Sequence, residues 1–268
     1  MEQSASFYEF VGFQAPQVPE PADLADLRIN VLNTAILLDF DGTLVDIAAR
    51  PDAIRYTPAD GRLLSSLMQG FHGAVAVVTG RDLADISYYL GGFAGTVSGG
   101  HGAQIRRDGE IVTQAEFDAE RLEHIKNAVT EFAVIDPRVI LEEKSTGMVL
   151  HFRQNPEVES LVRTFAECLL SGCDDFELQP AKMAFEIKPK NISKAAAIEQ
   201  ILQQPEFAGR VPLYAGDDTT DETAFACVND MGGLSIKIGA GPTCAQYRAE
   251  SPAVLKRWLS ATLSKRRN

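Results

Sequence analysis

Five aspartates follow two short apolar runs of this 268-residue chain. The runs span residues 35–38 and 211–215, and the acids after them are Asp39, Asp41, Asp217, Asp218 and Asp221. If the runs are neighbouring strands, the carboxylates share one crevice, where like charges cannot all stay ionised without a counter-charge. A hard divalent cation resolves this, and magnesium accepts a few carboxylates while it keeps waters and a phosphate oxygen. Because no His or Cys cluster has metal-ligand spacing, zinc is disfavoured.

A third apolar run, residues 74–78, ends in Thr79-Gly-Arg81. Ligands of an open parallel α/β sheet bind beyond the carboxyl ends of its strands. One such motif fits an ordinary polar turn as well as it fits a site, but three motifs at one sheet edge favour a site. Lys194 opens a predicted helix and offers a cation, although its position alone fits a solvent-facing side chain better.

The net charge of the chain is −12 at pH 7, which argues against a broad nucleic-acid surface. The same field repels anions, so a phosphate ligand needs a local cation. The four cysteines form no C-x-x-C pair, no basic leader precedes an apolar stretch, and the aliphatic runs are too short to span a bilayer. We therefore expect a cytoplasmic protein with no membrane or nucleic-acid partner.

Alternating strand and helix patterns position these motifs. The apolar runs have the length of buried strands, and the segments after them place apolar residues at helical spacing. This rhythm predicts an α/β fold with a Rossmann-like parallel sheet covered on both faces. Asp108-Gly109, between alternating residues, predicts a hairpin with a type I′ turn.

Between residues 115 and 187 the pattern changes to αββαββ, with links of hairpin length. This order predicts an antiparallel sheet that carries two helices, an α+β domain inserted into the parallel one. The predicted organisation is a loose N-terminal arm at 1–30, the first part of the core at 31–114, the inserted domain at 115–187 and the second part of the core at 188–268.

In this order, the motifs resemble those of the haloacid-dehalogenase (HAD) phosphatase superfamily. The resemblance rests on Leu38-Asp-Phe-Asp-Gly-Thr-Leu44, on Thr79, on Lys194 and on Gly216-Asp-Asp-Thr-Thr-Asp221. It implies the HAD fold, with the inserted domain as a cap over the active site. It also implies a phosphatase that works through an aspartyl-phosphate intermediate.

The resemblance implies a role for each motif residue. Asp39 would be the nucleophile, and Asp41 would protonate the leaving oxygen and later deprotonate the attacking water. Thr79 would donate a hydrogen bond to the transferring phosphoryl group. Lys194 would neutralise the charge that develops there.

By the same resemblance, the cofactor is Mg²⁺. The Asp39 carboxylate, the Asp41 backbone carbonyl and the Asp217 carboxylate would hold the ion. Asp218 and Asp221 would lie outside them and orient waters or the lysine.

Three cap segments, at residues 141–144, 150–153 and 185–189, are similar to those of the trehalose-6-phosphate phosphatase family. By this resemblance, Glu142, Lys144 and Glu186 bind the sugar. His101, on the glycine loop 99–102 where core and cap are expected to meet, is a further candidate for the sugar, and Arg81 is a candidate for the phosphate. Glu142 and Lys144 share one face of a strand because they are two residues apart. On spacing alone, an exposed polar strand face explains this pair better, and Arg81 fits an ion pair with one of many acids as well as it fits a phosphate contact.

The family resemblance implies hydrolysis of trehalose 6-phosphate to trehalose and phosphate, the last step of trehalose biosynthesis. A trehalose-phosphate synthase would then be a candidate partner. Sucrose 6-phosphate and a glucosyl-glycerol phosphate remain alternative substrates. A phosphohexomutase remains an alternative enzyme because it shares the core motifs. A non-catalytic sugar-phosphate sensor would have lost Asp39 or Asp41, and both are present.

Overall fold

The computed structural model describes residues 20–48, 53–181 and 183–264. The strands are β1 (Ala22–Asp23), β2 (Thr34–Leu38), β3 (Val75–Val78), β4 (Thr96–Gly99), β5 (Gln104–Arg107), β6 (Glu110–Gln114), β7 (Ile140–Lys144), β8 (Gly147–His151), β9 (Phe176–Ala181), β10 (Ala184–Pro189), β11 (Val211–Gly216), β12 (Leu234–Ile238) and β13 (Tyr247–Ala249). The α-helices are α1 (Pro58–Gly70), α2 (Leu83–Leu90), α3 (Ala119–Ile135), α4 (Glu159–Leu169), α5 (Lys194–Leu202), α6 (Glu222–Asp230) and α7 (Pro252–Ser264).

The core is a nine-stranded sheet in the order β1-β13-β12-β11-β2-β3-β4-β5-β6. The strands from β1 to β4 in this order pair in parallel, and β5 and β6 add an antiparallel edge. Every residue of β2 and β3 is buried, as expected for parallel strands with both faces covered. The predicted parallel α/β core is therefore confirmed.

The hairpin between β5 and β6 turns at Asp108 and Gly109. Their φ angles are 51° and 86°. Positive φ at both central residues defines the type I′ turn that the sequence predicts.

The second sheet has four antiparallel strands in the order β7-β8-β10-β9. With α3 and α4 it forms the predicted αββαββ unit, which we call the cap. One face of this sheet shares an apolar cluster with the helices: Met148, Leu150, Phe185 and Ile187 pack with Val129 and Val162, among others. Because strand side chains alternate between faces, residues at the intervening positions point away from the helices.

The two chain crossings between the sheets lie side by side. The side-chain amide of Asn191, after β10, donates a hydrogen bond of 3.0 Å to the carbonyl of Glu116, before α3. β10 runs to Pro189, two residues beyond the predicted end of the inserted domain. The crossings thus join cap and core at one place.

The segment predicted as a loose arm spans residues 1–30, of which 1–19 lie outside the described residues. The rest of it does not behave as a loose arm. Ala22–Asp23 pairs with Tyr247 and Arg248 at the edge of the large sheet. Leu24 and Leu27 are buried in the core. Among the described helices, none combines the length and the apolar character that crossing a bilayer requires.

Candidate active site

Three neighbouring strands of the large sheet bring the predicted motifs together. β11, β2 and β3 are adjacent and parallel, so the residues that follow them meet at one edge. Asp39 follows β2, Thr79 follows β3, and Asp217 follows β11. A cleft of about 640 Å³ lies there between core and cap, and its lining includes these three residues, Lys194 and Lys144.

Lys194 connects two of the acidic motifs. Its ammonium donates hydrogen bonds to Asp39 Oδ1 at 2.8 Å and to Asp221 Oδ1 at 2.7 Å. Lys194 is only 4% exposed, and both carboxylates are also buried. The helix begins at this residue because the Ser193 hydroxyl caps it, accepting from the Ala196 backbone N–H at 3.1 Å. The solvent-facing interpretation of Lys194 is therefore wrong.

Asp221 is fully buried, and hydrogen bonds engage both of its oxygens. Oδ1 accepts from Lys194 and from the Tyr214 hydroxyl, the latter at 2.5 Å. Oδ2 accepts from the backbone N–H groups of Asp217 and Asp218 at 2.9 and 3.0 Å. This carboxylate therefore fixes the loop after β11 and the position of the lysine.

The pKa values of Asp39 and Asp221 shift in opposite directions, although both carboxyl groups contact Lys194. Burial, reinforced by the nearby Asp221 and Asp217 charges, raises the pKa of Asp39 well above its ordinary value despite Lys194. Burial opposes the ionised form of Asp221 too, but Lys194, Tyr214 and the backbone donor lower its pKa. Although burial acts against the ammonium, the two carboxylates raise the pKa of Lys194. The protonated form is therefore favoured at Asp39 relative to Asp221, although both contact Lys194.

The oxygens of three carboxylates, those of Asp39, Asp217 and Asp221, lie within 4.8 Å of one another. Burial, with the charges of Asp221 and Asp218, raises the pKa of Asp217 to about 6. Gly42 has a φ of +74°, and a side chain there would run into the Asp217 carboxylate. This crowding of hard oxygen donors fits Mg²⁺. Hydrogen bonds engage both oxygens of Asp221 and Oδ1 of Asp39, so among these three carboxyl groups Asp39 Oδ2 and the Asp217 oxygens have no side-chain hydrogen bond among the described residues.

Asp218 lies at the rim of the cleft. Its carboxylate accepts from the backbone N–H of Thr219 at 2.7 Å and caps the short 3-10 helix Thr219–Asp221. Lys237 lies beneath the same loop and donates to the Asp217 carbonyl at 2.5 Å. Both residues shape the loop that presents Asp217.

Asp41 forms a two-point ion pair with Arg81. The guanidinium donates from Nε to Asp41 Oδ2 at 2.6 Å and from Nη2 to Oδ1 at 2.9 Å. It also lies over the rings of Tyr89 and Phe40, 5.5 and 5.9 Å from their centroids. The sequence left open whether Arg81 contacts phosphate or pairs with an acid. In this structure it pairs with Asp41.

Thr79 is buried and anchors the loop that carries His101. The Thr79 carbonyl accepts from the His101 backbone N–H at 2.9 Å, and its hydroxyl accepts from the Arg81 backbone N–H at 3.2 Å. His101 has a left-handed φ of 56° and lies in the tight turn between β4 and β5 of the core sheet. The threonine hydroxyl thus sits at the cleft wall with its own proton available for donation.

The cap presents charged residues on the sheet face that points away from its helices. Glu142 and Glu186 both pair with Val149 in the sheet, so their side chains lie on the same face. Lys144 donates to Glu186 Oε1 at 2.9 Å. The side chains of Lys144 and Glu186 are 18% and 10% exposed, too buried for the freely exposed strand face that spacing alone favours. Glu142, at 47% exposed, fits that interpretation.

His101 approaches this cap pair from the core. Its Nε2 lies 3.9 Å from Glu186 Oε2. Burial, with the charges of Lys144, Lys194 and Lys188, holds the pKa of His101 well below its ordinary value. The imidazole is therefore neutral at pH 7, and it faces Glu186 as a polar group rather than as an ion-pair partner.

The outer part of the cleft contains residues that the sequence analysis did not select. His151 Nε2 lies 2.9 Å from Glu142 Oε2, and this contact lowers the pKa of Glu142. Arg153 and Gln154 also line the cleft. The alternation of side chains along the strand could have pointed to His151. It is two residues from Val149, which pairs with Glu142, so His151 and Glu142 share one face of the sheet.

Sequence comparisons identify close relatives. A sequence-family model described as trehalose-phosphatase matches residues 37–253. A probable trehalose-phosphate phosphatase of Sinorhizobium fredii is 38% identical over 222 residues, which cover 81% of this chain and 82% of that protein. Trehalose-6-phosphate phosphatase of Escherichia coli is 33% identical over 233 residues, which cover 84% of this chain and 85% of that protein.

Solved structures show the same fold. The C-terminal domain of Candida albicans trehalose-6-phosphate phosphatase superposes with a TM-score of 0.72 at 22% identity, over 87% of this chain and 93% of that chain. A trehalose-6-phosphate phosphatase related protein gives a TM-score of 0.67 at 25% identity, over 86% and 97%. With the family match over most of its length, this chain belongs to the trehalose-phosphatase family of HAD-fold phosphoric monoester hydrolases.

Proposed function

We propose that this protein hydrolyses trehalose 6-phosphate to trehalose and phosphate, with Mg²⁺ and through an aspartyl-phosphate intermediate. One observation carries the proposal: Lys194 holds Asp39 at the base of a cleft whose opposite wall is the charged face of the cap. The family and the names of the relatives support the choice of substrate.

In the first step, the Asp39 carboxylate attacks phosphorus, and the bond between phosphorus and the sugar oxygen breaks. The electron pair of that bond stays on the sugar oxygen, which takes a proton from the carboxyl group of Asp41. Thr79 donates a hydrogen bond to the phosphoryl oxygens, and Lys194 offsets their negative charge. The acyl phosphate on Asp39 and free trehalose result.

In the second step, water attacks the phosphorus of the acyl phosphate and gives a proton to Asp41. The bond from phosphorus to the Asp39 oxygen breaks, phosphate leaves, and the Asp39 carboxylate is restored. In the free protein Arg81 holds both oxygens of the Asp41 carboxylate, so one oxygen must leave the guanidinium before Asp41 carries the proton that it donates in the first step. Lys194 keeps Asp39 in one place between the two steps.

The residues that would hold magnesium are Asp39 and Asp217, by their carboxylates, and Asp41, by its backbone carbonyl. Bound there, the ion would supply positive charge that offsets the charge of the phosphoryl oxygens. The donors are oxygens, in keeping with the preference of this cation. Asp218 and Asp221 hold the loop that presents Asp217.

The cap side of the cleft suits a neutral disaccharide. Glu142 and Glu186 accept hydrogen bonds from sugar hydroxyls, and Lys144 donates to them. The neutral imidazole of His101 can do either. The cleft volume of about 640 Å³ is within the usual range for a ligand of this size. Sugars that lack a matching hydroxyl leave buried polar groups unpaired and are rejected.

A panel of sugar phosphates tests the substrate. Trehalose 6-phosphate, sucrose 6-phosphate, a glucosyl-glycerol phosphate and mannose 1-phosphate are each incubated with the protein and Mg²⁺, and released phosphate is measured. We expect the highest kcat/KM for trehalose 6-phosphate. A higher value for another sugar phosphate would overturn the substrate. Conversion of mannose 1-phosphate to the 6-phosphate without free phosphate would instead identify a phosphohexomutase.

The proposed reaction places the protein after a trehalose-phosphate synthase, since that reaction class supplies the phosphorylated disaccharide. All four cysteines are free thiols, which supports the proposal that the protein works in the reducing cytoplasm.

A further inference from the structure

A direct hydrogen-bonded contact joins the cap to the core at the edge of the cleft. The Asp82 carboxylate accepts from the Ser145 hydroxyl at 2.8 Å and from the Ser145 backbone N–H at 3.2 Å. Ser145 begins the turn between β7 and β8, whereas Asp82 directly precedes α2 in the core. Ser145 in the cap thus donates two hydrogen bonds, one to each oxygen of the Asp82 carboxylate in the core.

Asp82 occupies the N-cap position of α2, where an aspartate commonly binds the first N–H groups of its own helix. Its side chain makes no such bond in this protein. Both oxygens are directed at the cap instead. The carboxylate is therefore not explained by helix capping, and its contact with Ser145 needs another role.

The chain neighbours of this contact belong to the proposed site. Arg81, directly before Asp82, holds Asp41. Lys144, directly before Ser145, holds Glu186. The contact therefore fixes the spacing between the proton-transferring group in the core and the sugar-binding groups in the cap.

The hairpin of β7 and β8 is held in the cap sheet by the neighbouring strand β10. A side chain at Gly147 would collide with the backbone carbonyl of Ile187 on the neighbouring strand β10, so the hairpin packs closely against β10. A constraint on Ser145 is therefore transmitted to Glu186 as well as to Lys144.

We propose that Asp82 is a positioning residue that latches the cap over the core through Ser145. The proposal rests on the proposed function, because the latch sets where Lys144 and Glu186 meet the sugar. When the latch is formed, Lys144 lines the cleft that has Asp39 in its wall, and Glu186 holds the Lys144 ammonium. When it is broken, the cap swings about the paired crossings at Glu116 and Asn191, and the sugar site loses its geometry.

Amide hydrogen exchange tests the latch without any substrate. The variants are Asp82→Ala and Ser145→Ala, and Asp85→Ala is the matched control. Asp85 lies in the same helix, carries the same charge and makes no hydrogen bond to the cap among the described residues. We expect exchange in the turn 144–147, which loses its contact with the core, and in the crossings 115–118 and 190–193 to become roughly tenfold faster in both latch variants, since a charge-assisted hydrogen bond is lost. The control should keep the wild-type rate.

Kinetics test the consequence for the sugar. With trehalose 6-phosphate, we expect KM to rise about tenfold in both latch variants, with a smaller change in kcat. With p-nitrophenyl phosphate, which has no sugar for the cap to bind, kcat/KM should stay at the wild-type value. A variant that is merely unstable would lose both activities. Ser145→Ala provides the second test because it leaves the start of α2 untouched.

Two results would overturn the latch: unchanged exchange at the turn 144–147 and at both crossings in both variants, or an equal effect of Asp85→Ala. Faster exchange in an enzyme that does not act on trehalose 6-phosphate would support the latch and reject the proposed substrate. The exchange measurement therefore separates a failure of this inference from a failure of the proposed function.

Discussion

The ammonium of Lys194 lies 2.8 Å from the carboxylate of Asp39, although 155 residues separate the two in the chain. The cap is encoded between them, so the contact joins the first part of the core to the second. A second buried carboxylate, Asp221, shares the same ammonium. One ammonium therefore faces two carboxyl groups. When both are ionised, the three side chains together keep one negative charge beside the cleft.

Replacing Lys194 by Met should remove both activity and stability. The substitution leaves two buried carboxylates unpaired, which costs about 3–5 kcal/mol of the free energy of unfolding. Phosphate release should fall by roughly a thousandfold or more because the phosphoryl charge loses its cation. Urea unfolding and a phosphate assay measure the two effects. Lys190 is exposed, so Lys190→Met is the control. Near-normal turnover in Lys194→Met would exclude a role of Lys194 in offsetting the phosphoryl charge.

Replacing Asp39 by Asn should stop turnover by several orders of magnitude while the protein stays folded. The amide keeps the shape of the side chain but cannot attack phosphorus. Acid quenching should trap an aspartyl-phosphate in the wild-type protein and none in the variant. The exposed Asp46→Asn provides a control for loss of a nearby charge. Trapped phosphoenzyme in Asp39→Asn would assign the nucleophile to a different carboxylate.

Removing divalent metal should abolish phosphate release, and Mg²⁺ should restore it. The crowded carboxylates of Asp39 and Asp217 need a cation to stay ionised together. Mg²⁺ should therefore also raise Tm by mass action, and the increase should be smaller in Asp217→Asn. Full activity after exhaustive treatment with EDTA would reject a metal-dependent reaction.

In the metal-free protein, Asp217 should make stability fall with rising pH. Its folded pKa of about 6 lies above its ordinary value of 3.8, so the folded state binds the proton more tightly than the unfolded state. Its contribution is fully present below pH 4 and is lost as the pH rises to about 6. Urea titration from pH 4 to 7 measures the unfolding free energy of wild type and of Asp217→Asn. The difference between the two should decrease over the same pH range. A flat difference would contradict it.

Replacing Glu142, Lys144 or Glu186 by Ala should impair the sugar reaction selectively. Loss of a charged group that hydrogen-bonds the sugar should lower kcat/KM for trehalose 6-phosphate by roughly a hundredfold or more at Lys144 and Glu186, and by less at the exposed Glu142. Hydrolysis of p-nitrophenyl phosphate should stay near normal, because these residues lie in the cap. Equal loss of both activities would mean that the residues support the fold. No loss of either would remove them from the sugar site.

The sequence predicts much of the core site because local patterns determine it. Short apolar runs become buried parallel strands, and the residues after Leu38, Val78 and Ala215 must then meet at one edge. The strand parity of Glu142 and Lys144 likewise predicts a shared face. These inferences need only the chain order and the alternation of side chains.

The partner of each charged group cannot be inferred in this way. The pairing of Arg81 with Asp41, and of Asp82 with Ser145, depends on how two sheets and a loop are placed in space. The same holds for β1, where a proline-rich segment gives no periodicity, yet Leu24 and Leu27 are buried. The chain offers many acids for each cation, and spacing alone does not choose among them.

The place of β2 in the sheet has a consequence for how the chain folds while it is being translated. β2 lies between β3, which follows it closely, and β11, which is translated only after the whole cap. While the cap is being made, the nascent core therefore presents one side of its most buried strand as an open edge. The cap has its own sheet and apolar cluster, so it can fold during this interval. An unpaired apolar strand invites association with other chains, and the emergence of β11 from the ribosome ends that period of vulnerability.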